Sequence, residues 1–163
     1  MTAIPRLALG AALLAAPATA ADPALQFAFA ETVTLGADVH PGATALGERN
    51  LVPITGGTFE GPGIKGVILP GGWDWQLRRA DGCTQIRADY MLRTDDGVVI
   101  NVVNTGVSCR SKDHGAVVRT HPVFEAPLGK YDWLSQSAFI GTLDPAVLPN
   151  GGRAVTIRFF RVN

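Results

Sequence analysis

Apolar and polar side chains alternate along most of this chain. In residues 84–94, Ile86, Ala88, Tyr90 and Leu92 share one parity, and Gln85, Arg87, Asp89 and Arg93 share the other. A period of two is the mark of a half-buried strand. The same reading predicts strands over 25–35, 50–58, 63–69, 73–79, 84–94, 98–107, 116–125, 137–143 and 154–162, separated by turns rich in Gly, Pro, Asp and Asn. Trp73, Trp75 and Leu77 form an apolar face opposite Asp74, Gln76 and Arg78, which places Asp74 outside. No long segment keeps a 3.6-residue apolar period, and only 130–136, KYDWLSQ, reads as a helical turn or two. Eight or nine sequential strands with short connections predict an all-β domain, a single antiparallel β-barrel of lipocalin-like proportions. A β-sandwich is the alternative, and closure favours the barrel because it leaves no exposed edge.

The first twenty residues break the pattern. Arg6 precedes a charge-free apolar run over 7–16, Pro17 ends it, and Ala18-Thr19-Ala20 supplies small residues for cleavage. This predicts a cleavable secretory signal peptide over 1–20, with cut after Ala20, and a domain over 21–163 in the periplasm or outside the cell. The run is too short to span a bilayer, which takes roughly 20 residues. An outer-membrane barrel is disfavoured because Arg87, Arg93, Arg119, Arg158 and Arg161 fall mid-strand, where a lipid-facing charge is costly. The chain has 14 basic and 14 acidic residues, and the basic ones never form a run. Nucleic-acid binding lacks its electrostatic footprint. Oligomeric state is not legible.

Candidate chemistry is sparse. Residues 55–66, TGGTFEGPGIKG, lack the G-K-[ST] ending of a phosphate loop and read as a wide hairpin turn with bulges. His40, His114 and His121 are far apart, so no metal site is expected, and no cofactor motif is present. Ser108, Ser111 and His114 share a polar loop that turn chemistry explains. Asp74, Asp89 and Glu125 each adjoin an aromatic residue, where partial desolvation raises a carboxyl pKa toward the range of general acid–base work. Alternation turns Asp74 and Asp89 outward, whereas Glu125 sits at a strand end. The catalytic candidates are Asp74 and Glu125. Trp75, Tyr90, Phe124 and Trp133 are the candidate walls of a small-molecule pocket inside the barrel. Asn104 lies on an apolar strand face and would orient the ligand. Binding of a small, partly apolar molecule is the leading expectation. A cofactor-independent lyase, isomerase or hydrolase is the second, and an interaction module with a solid core the third.

The segments LVPITGGTFEGPGIKG, LPGGWDWQL, RADYMLRTDDGVVINVVNTGV, RTHPVFEAP, YDWLSQSAFIGT and IRFFRV, in that order, resemble the bacterial and fungal family called domain of unknown function 3237. The resemblance covers nearly the whole chain beyond the leader and implies one antiparallel β-barrel domain. The matching positions are Gly56, Gly57, Phe59, Gly61, Asp74, Trp75, Thr94, Asp96, Gly97, Asn104, Phe124, Glu125, Tyr131 and Trp133. The export signal and the cysteine pair depart from what the resemblance implies for a typical member.

The cysteines yield the sharpest expectation. Thr94-Asp95-Asp96-Gly97 fits a three-residue loop with Gly97 in the left-handed position. Thr94 then faces Val98, and counting outward on both strands sets Cys83 opposite Cys109. The pair falls an odd number of steps from the hydrogen-bonded closing pair, so its Cα atoms stand about 4.5 Å apart, within disulfide reach. A two-residue loop would set Thr84 there instead. The bridge is expected to contribute roughly 3 to 4 kcal/mol. Thiol counting under denaturing, non-reducing conditions should find no free thiol in the oxidised protein. Two free thiols would exclude the bridge.

Overall fold

The computed structural model describes residues 22–109 and 118–163. The expected leader and the loop positions Ser111 and His114 lie outside the described residues. The chain forms strands β1 (Leu25–Leu35), β2 (Val39–Thr44), β3 (Gly47–Gly61), β4 (Ile64–Ile68), β5 (Gly72–Arg78), β6 (Thr84–Thr94), β7 (Val99–Ser108), β8 (Val118–Glu125), β9 (Phe139–Val147) and β10 (Arg153–Val162), with one 3-10 turn at Asp132–Leu134. β1 and β2 follow one line along β3, interrupted at 36–38, and β4 and β5 follow another, interrupted at 69–71. With each broken pair taken as one strand, eight strands run in chain order. Each is antiparallel to the next, and β10 closes on β1. The barrel expected from the pattern is therefore present as an up-and-down meander. β2 escaped the pattern because VHPGAT has no apolar alternation, and its Pro and Gly suit only a lightly paired edge. No helix among the described residues is long and apolar enough to cross a membrane.

The β6–β7 hairpin follows the loop chemistry. Thr94 N donates to Val98 O at 2.9 Å, Gly97 N donates to Thr94 O at 2.9 Å, and Gly97 has φ 88°. The register runs unbroken from Arg93↔Val99 to Thr84↔Ser108. One step further, Cys83 and Cys109 are bridged, with Cα atoms 4.4 Å apart. Ile86, Ala88, Tyr90, Leu92, Ile100, Val102 and Asn104 are all buried, as the alternation requires.

An eight-stranded barrel is just wide enough for side chains to fill. At the end bearing the β6–β7 turn, phenylalanines fill it. The Phe29 ring lies 5.1 Å from Phe159, 5.7 Å from Phe124 and 5.8 Å from Phe59, and Phe124 lies 5.0 Å from Phe139. β8 and β9 pair only from Val118↔Leu143 to Thr120↔Gly141. Beyond that they splay, and the 3-10 turn inserts buried Leu134 beside buried Tyr131. Asp96 in the hairpin loop fastens this cap. It accepts from Lys130 Nζ at 2.8 Å, from Tyr131 Oη at 3.0 Å and from Thr94 Oγ1. The Lys130 ammonium holds the Asp96 carboxyl well below the usual carboxylate range, helped by the Thr94 and Tyr131 hydroxyls.

The glycine-rich stretch is not the wide turn its composition suggests. It runs as strand to Gly61, and the turn is confined to Pro62 and Gly63. Gly56 and Gly57, with φ 141° and 138°, form an irregularity that switches which residues of β3 face inward. Phe59 is buried above it, and Ile54 and Val52 are buried below it. A Cβ on Gly57 would collide with the Thr32 carbonyl oxygen and sit 3.0 Å from Ile68 Cδ1. Gly57→Ala should therefore cost about 3 kcal/mol or more, from left-handed strain and backbone collision together. Urea unfolding with the m-value unchanged is the check, and a loss below about 1 kcal/mol would contradict the account.

Candidate functional site: an inward carboxylate at the open end of the barrel

Ile64 and Ile68 of β4 are buried. Counting on by twos through the interruption at 69–71 brings Gly72, Asp74 and Gln76 to the same inner face. Asp74 stands between Val52 on β3 and Ala88 on β6, both buried. Trp73 and Trp75 are turned out, 37% and 43% exposed. The alternation expected in this strand is present, but its direction is reversed. The polar parity faces the interior because register with β3 and β6, not the hydrophobicity of β5 itself, decides the face.

Inside, Asp74 is tied on both oxygens. Gln76 Nε2 donates to its Oδ2 at 2.7 Å, and the Arg87 backbone N–H donates to its Oδ1 at 3.2 Å. Burial raises its carboxyl above the usual range, and these two donors only partly oppose the rise. The hydrogen bonds continue outward. Asn50 Nδ2 donates to Gln76 Oε1 at 3.3 Å and to Asp38 Oδ2 at 3.1 Å, and Arg153 Nη1 donates to Asp38 Oδ1 at 2.6 Å. Arg153, with help from Asn50, holds Asp38 below its ordinary value. The Asp74 and Asp38 carboxyls are thus pushed in opposite directions, one by burial and one by a cation. Asn50 and Gln76 also line a hollow of about 290 Å³, which they share with His40, Arg78 and Thr84.

A second carboxyl lies deeper. Glu31 of β1 is 1% exposed, directly along the strand from Phe29. Tyr90 Oη reaches across the interior from β6 and donates to Glu31 Oε2 at 2.6 Å. Burial pushes the Glu31 carboxyl up to about 8, against the opposing pull of the Tyr90 hydrogen bond. Burial first, and then Glu31, hold the Tyr90 phenol well above its usual value. Sequence reading missed Glu31. Its signal was present: an acid on the same parity as Phe29 and Val33 in a strand otherwise free of charge.

Asn104 is 2% exposed, and its Oδ1 has no hydrogen-bond partner among the described residues. It faces Ala88 from β7, as Asp74 faces Ala88 from β5. Tyr90, two residues along β6, is the diagonal inner-face neighbour of both. The expected aromatic walls do not assemble around this group. Trp75 is outside, Phe124 belongs to the phenylalanine cluster, and Trp133 packs against Phe139 at the cap, ring centroids 5.9 Å apart. Glu125 is exposed on the outer wall, because it continues the outward parity of β8. Of the expected site, Asp74, Tyr90 and Asn104 come together inside, and Glu125, Trp75, Phe124 and Trp133 do not join them. No group of three or more potential metal ligands is present among the described residues.

These features define an eight-stranded barrel with acids turned into its interior. Residues 23–162 match the family described as protein of unknown function, DUF3237, and the chain belongs to that family. A UPF0311 protein of Rhodopseudomonas palustris is 34% identical over 130 residues, 72% of this chain and 85% of the relative. The crystal structure of a β-barrel-like protein from Acinetobacter baumannii superposes with TM-score 0.78 at 30% identity, covering 89% of this chain and 99% of that one. A protein of Penicillium herquei named a hydroalkoxylation enzyme is 28% identical over 120 residues, 74% of each chain.

The Glu31 environment has a measurable consequence. Its folded-state value, about 8, lies above the ordinary 4.5. The folded chain therefore holds this proton more tightly than the unfolded chain does. The associated stability is fully present below about pH 4.5 and is lost as pH rises through about 8. Glu31→Gln, which cannot ionise, should flatten that slope and recover on the order of a few kcal/mol at the alkaline end. Unfolding free energies measured from about pH 4 to about pH 9, which brackets both values, are the check. An unchanged slope in the variant would contradict it.

Proposed function

We propose that this protein is a cofactor-independent acid–base enzyme acting on a small, partly apolar molecule that enters at the open end of the barrel, with Asp74 as the proton-transferring group. The inward turn of Asp74 carries the reading. A carboxyl whose pKa is raised by burial, held on both oxygens and linked through Gln76 to the open hollow, is suited to exchange a proton with a bound molecule. Asn104, across Ala88 on the same inner face, is the group assigned to a polar atom of the substrate. Tyr90 is committed to Glu31, and Glu125 faces away, so neither takes that part.

The name of the Penicillium herquei relative supports this class of chemistry. Adding an alcohol across a carbon–carbon double bond removes one proton from oxygen and delivers one to carbon. A carboxyl able to hold and release a proton performs both transfers without a cofactor. The engagement of both Asp74 oxygens favours a second reading, a carrier that binds such a molecule and leaves it unchanged. The compartment proposed is the periplasm or the cell exterior. The leader sequence supports it, and the Cys83–Cys109 bridge suits an oxidising environment. Arg87, Asp89 and Arg93 on the outer wall support a surface facing water, not lipid.

The test uses alkenols and hydroxy-enones in deuterated water, with deuterium at carbon read by mass spectrometry. Wild-type protein should accelerate incorporation into at least one compound. Asp74→Asn should reduce that rate about 100-fold or more, while Glu125→Gln leaves it unchanged. Equal rates in wild type and Asp74→Asn would exclude Asp74. A small molecule retained by the native protein in mass spectrometry and returned chemically unchanged would establish the carrier reading.

A further inference from the structure

The outward tryptophans are not accounted for by the acid–base site. Trp73 and Trp75 stand on one outer face of β5, each more than a third exposed. The interruption between β4 and β5 notches the barrel wall beside them. The resulting groove, about 450 Å³, is floored by Gly71 and Gly72 and walled by Trp73, Trp75, Met91 and Asp89. Asp89 is the direct cross-strand partner of Trp73. It is the one ionic side chain lining the groove, and no basic side chain lines it.

The side chains that wall this groove all present negative potential, and Arg87, paired with Asp89 at 3.8 Å, stands outside the lining. Indole faces carry the negative lobe of the ring quadrupole, the thioether of Met91 is a weak acceptor, and Asp89 adds a full negative charge. An anion is repelled. A hard metal cation would find one carboxylate where it needs several oxygens. A purely apolar ligand would desolvate Asp89 without compensation. A cation sheathed in methyl groups meets all three surfaces at once. Asp89 is engaged only at long range, by an ion pair with Arg87 and a hydrogen bond from Asn101. Asn101 Nδ2 donates to its Oδ1 at a long 3.4 Å, and Arg87 Nη2 stands 3.8 Å from its Oδ2, beyond hydrogen-bond length.

The geometry points to a quaternary ammonium site on the outer wall, in which Trp73 and Trp75 receive the methylated cation and Asp89 supplies the counter-charge. The occupant is a free small molecule, since the groove is a bounded notch of about 450 Å³ and not an extended face.

Isothermal titration with choline and with its uncharged isostere 3,3-dimethylbutan-1-ol tests the assignment. Choline should bind saturably with Kd on the order of 1 mM, and the isostere at least about tenfold more weakly. Asp89→Asn and Trp75→Ala should each weaken choline binding about tenfold. Asp74→Asn should leave it unchanged, so failure here and failure of the acid–base reading are separable. Trp75→Phe, with thermal unfolding as a control, replaces Trp75→Ala if the latter does not fold. Equal affinity for the two compounds, or no saturation by about 50 mM, some fifty times the expected Kd, would overturn the site. Sedimentation showing a dimer that Trp75→Ala dissociates would overturn it in favour of a second copy of this chain.

Discussion

The narrow bore of an eight-stranded barrel governs the rest of this structure. Each inward position faces others across a space that side chains alone can fill. At the capped end, Phe29 meets Phe59, Phe124 and Phe159, and Phe139 and Leu134 close the gap where β8 and β9 part. With aromatic volume concentrated there, the polar inward residues fall below it. Glu31 lies next along β1, bridged by Tyr90, and Asp74, Gln76 and Asn50 lead from there to the open end.

This partition makes the interior electrically uneven. Glu31 is sealed away, and a charge there would lie in a medium of low polarity with one phenol for support. Asp74 is nearer water and better supplied with donors, so burial raises it less completely. Asp38 at the rim is held as a carboxylate by Arg153. Three acids along one barrel thus occupy three electrostatic settings, ordered by distance from solvent. That ordering is what gives the open end its chemical interest.

The outer wall is shaped by the same breaks that shape the inner one. The interruption at 69–71 keeps Asp74 on the inner parity of Ile64 and Ile68 and leaves the two tryptophans outside, beside the notch it opens. A single irregularity therefore sets both the acid inside and the aromatic groove outside. The tandem glycines of β3 do the corresponding work on the neighbouring strand, where Gly57 passes too close to the Thr32 carbonyl for any side chain.

Local rules sufficed wherever chemistry and periodicity were carried within one hairpin. The strand limits 84–94, the Gly97 turn and the pairing of Cys83 with Cys109 follow from alternation and turn geometry, because register propagates residue by residue from a closed loop. The barrel class followed from the number of strands and their short connections. The face of β5 did not follow, since alternation gives two faces and not their direction. A strand with tryptophans on one parity and Asp and Gln on the other reads wrongly until its collinearity with β4 is known. Glu31 was hidden for a related reason: its cost and its partner both come from β6, distant in sequence. Composition and spacing determined which elements form and how neighbouring ones pair. Closure of the barrel decided which side of each strand is inside, because only there do all eight strands compete for one volume.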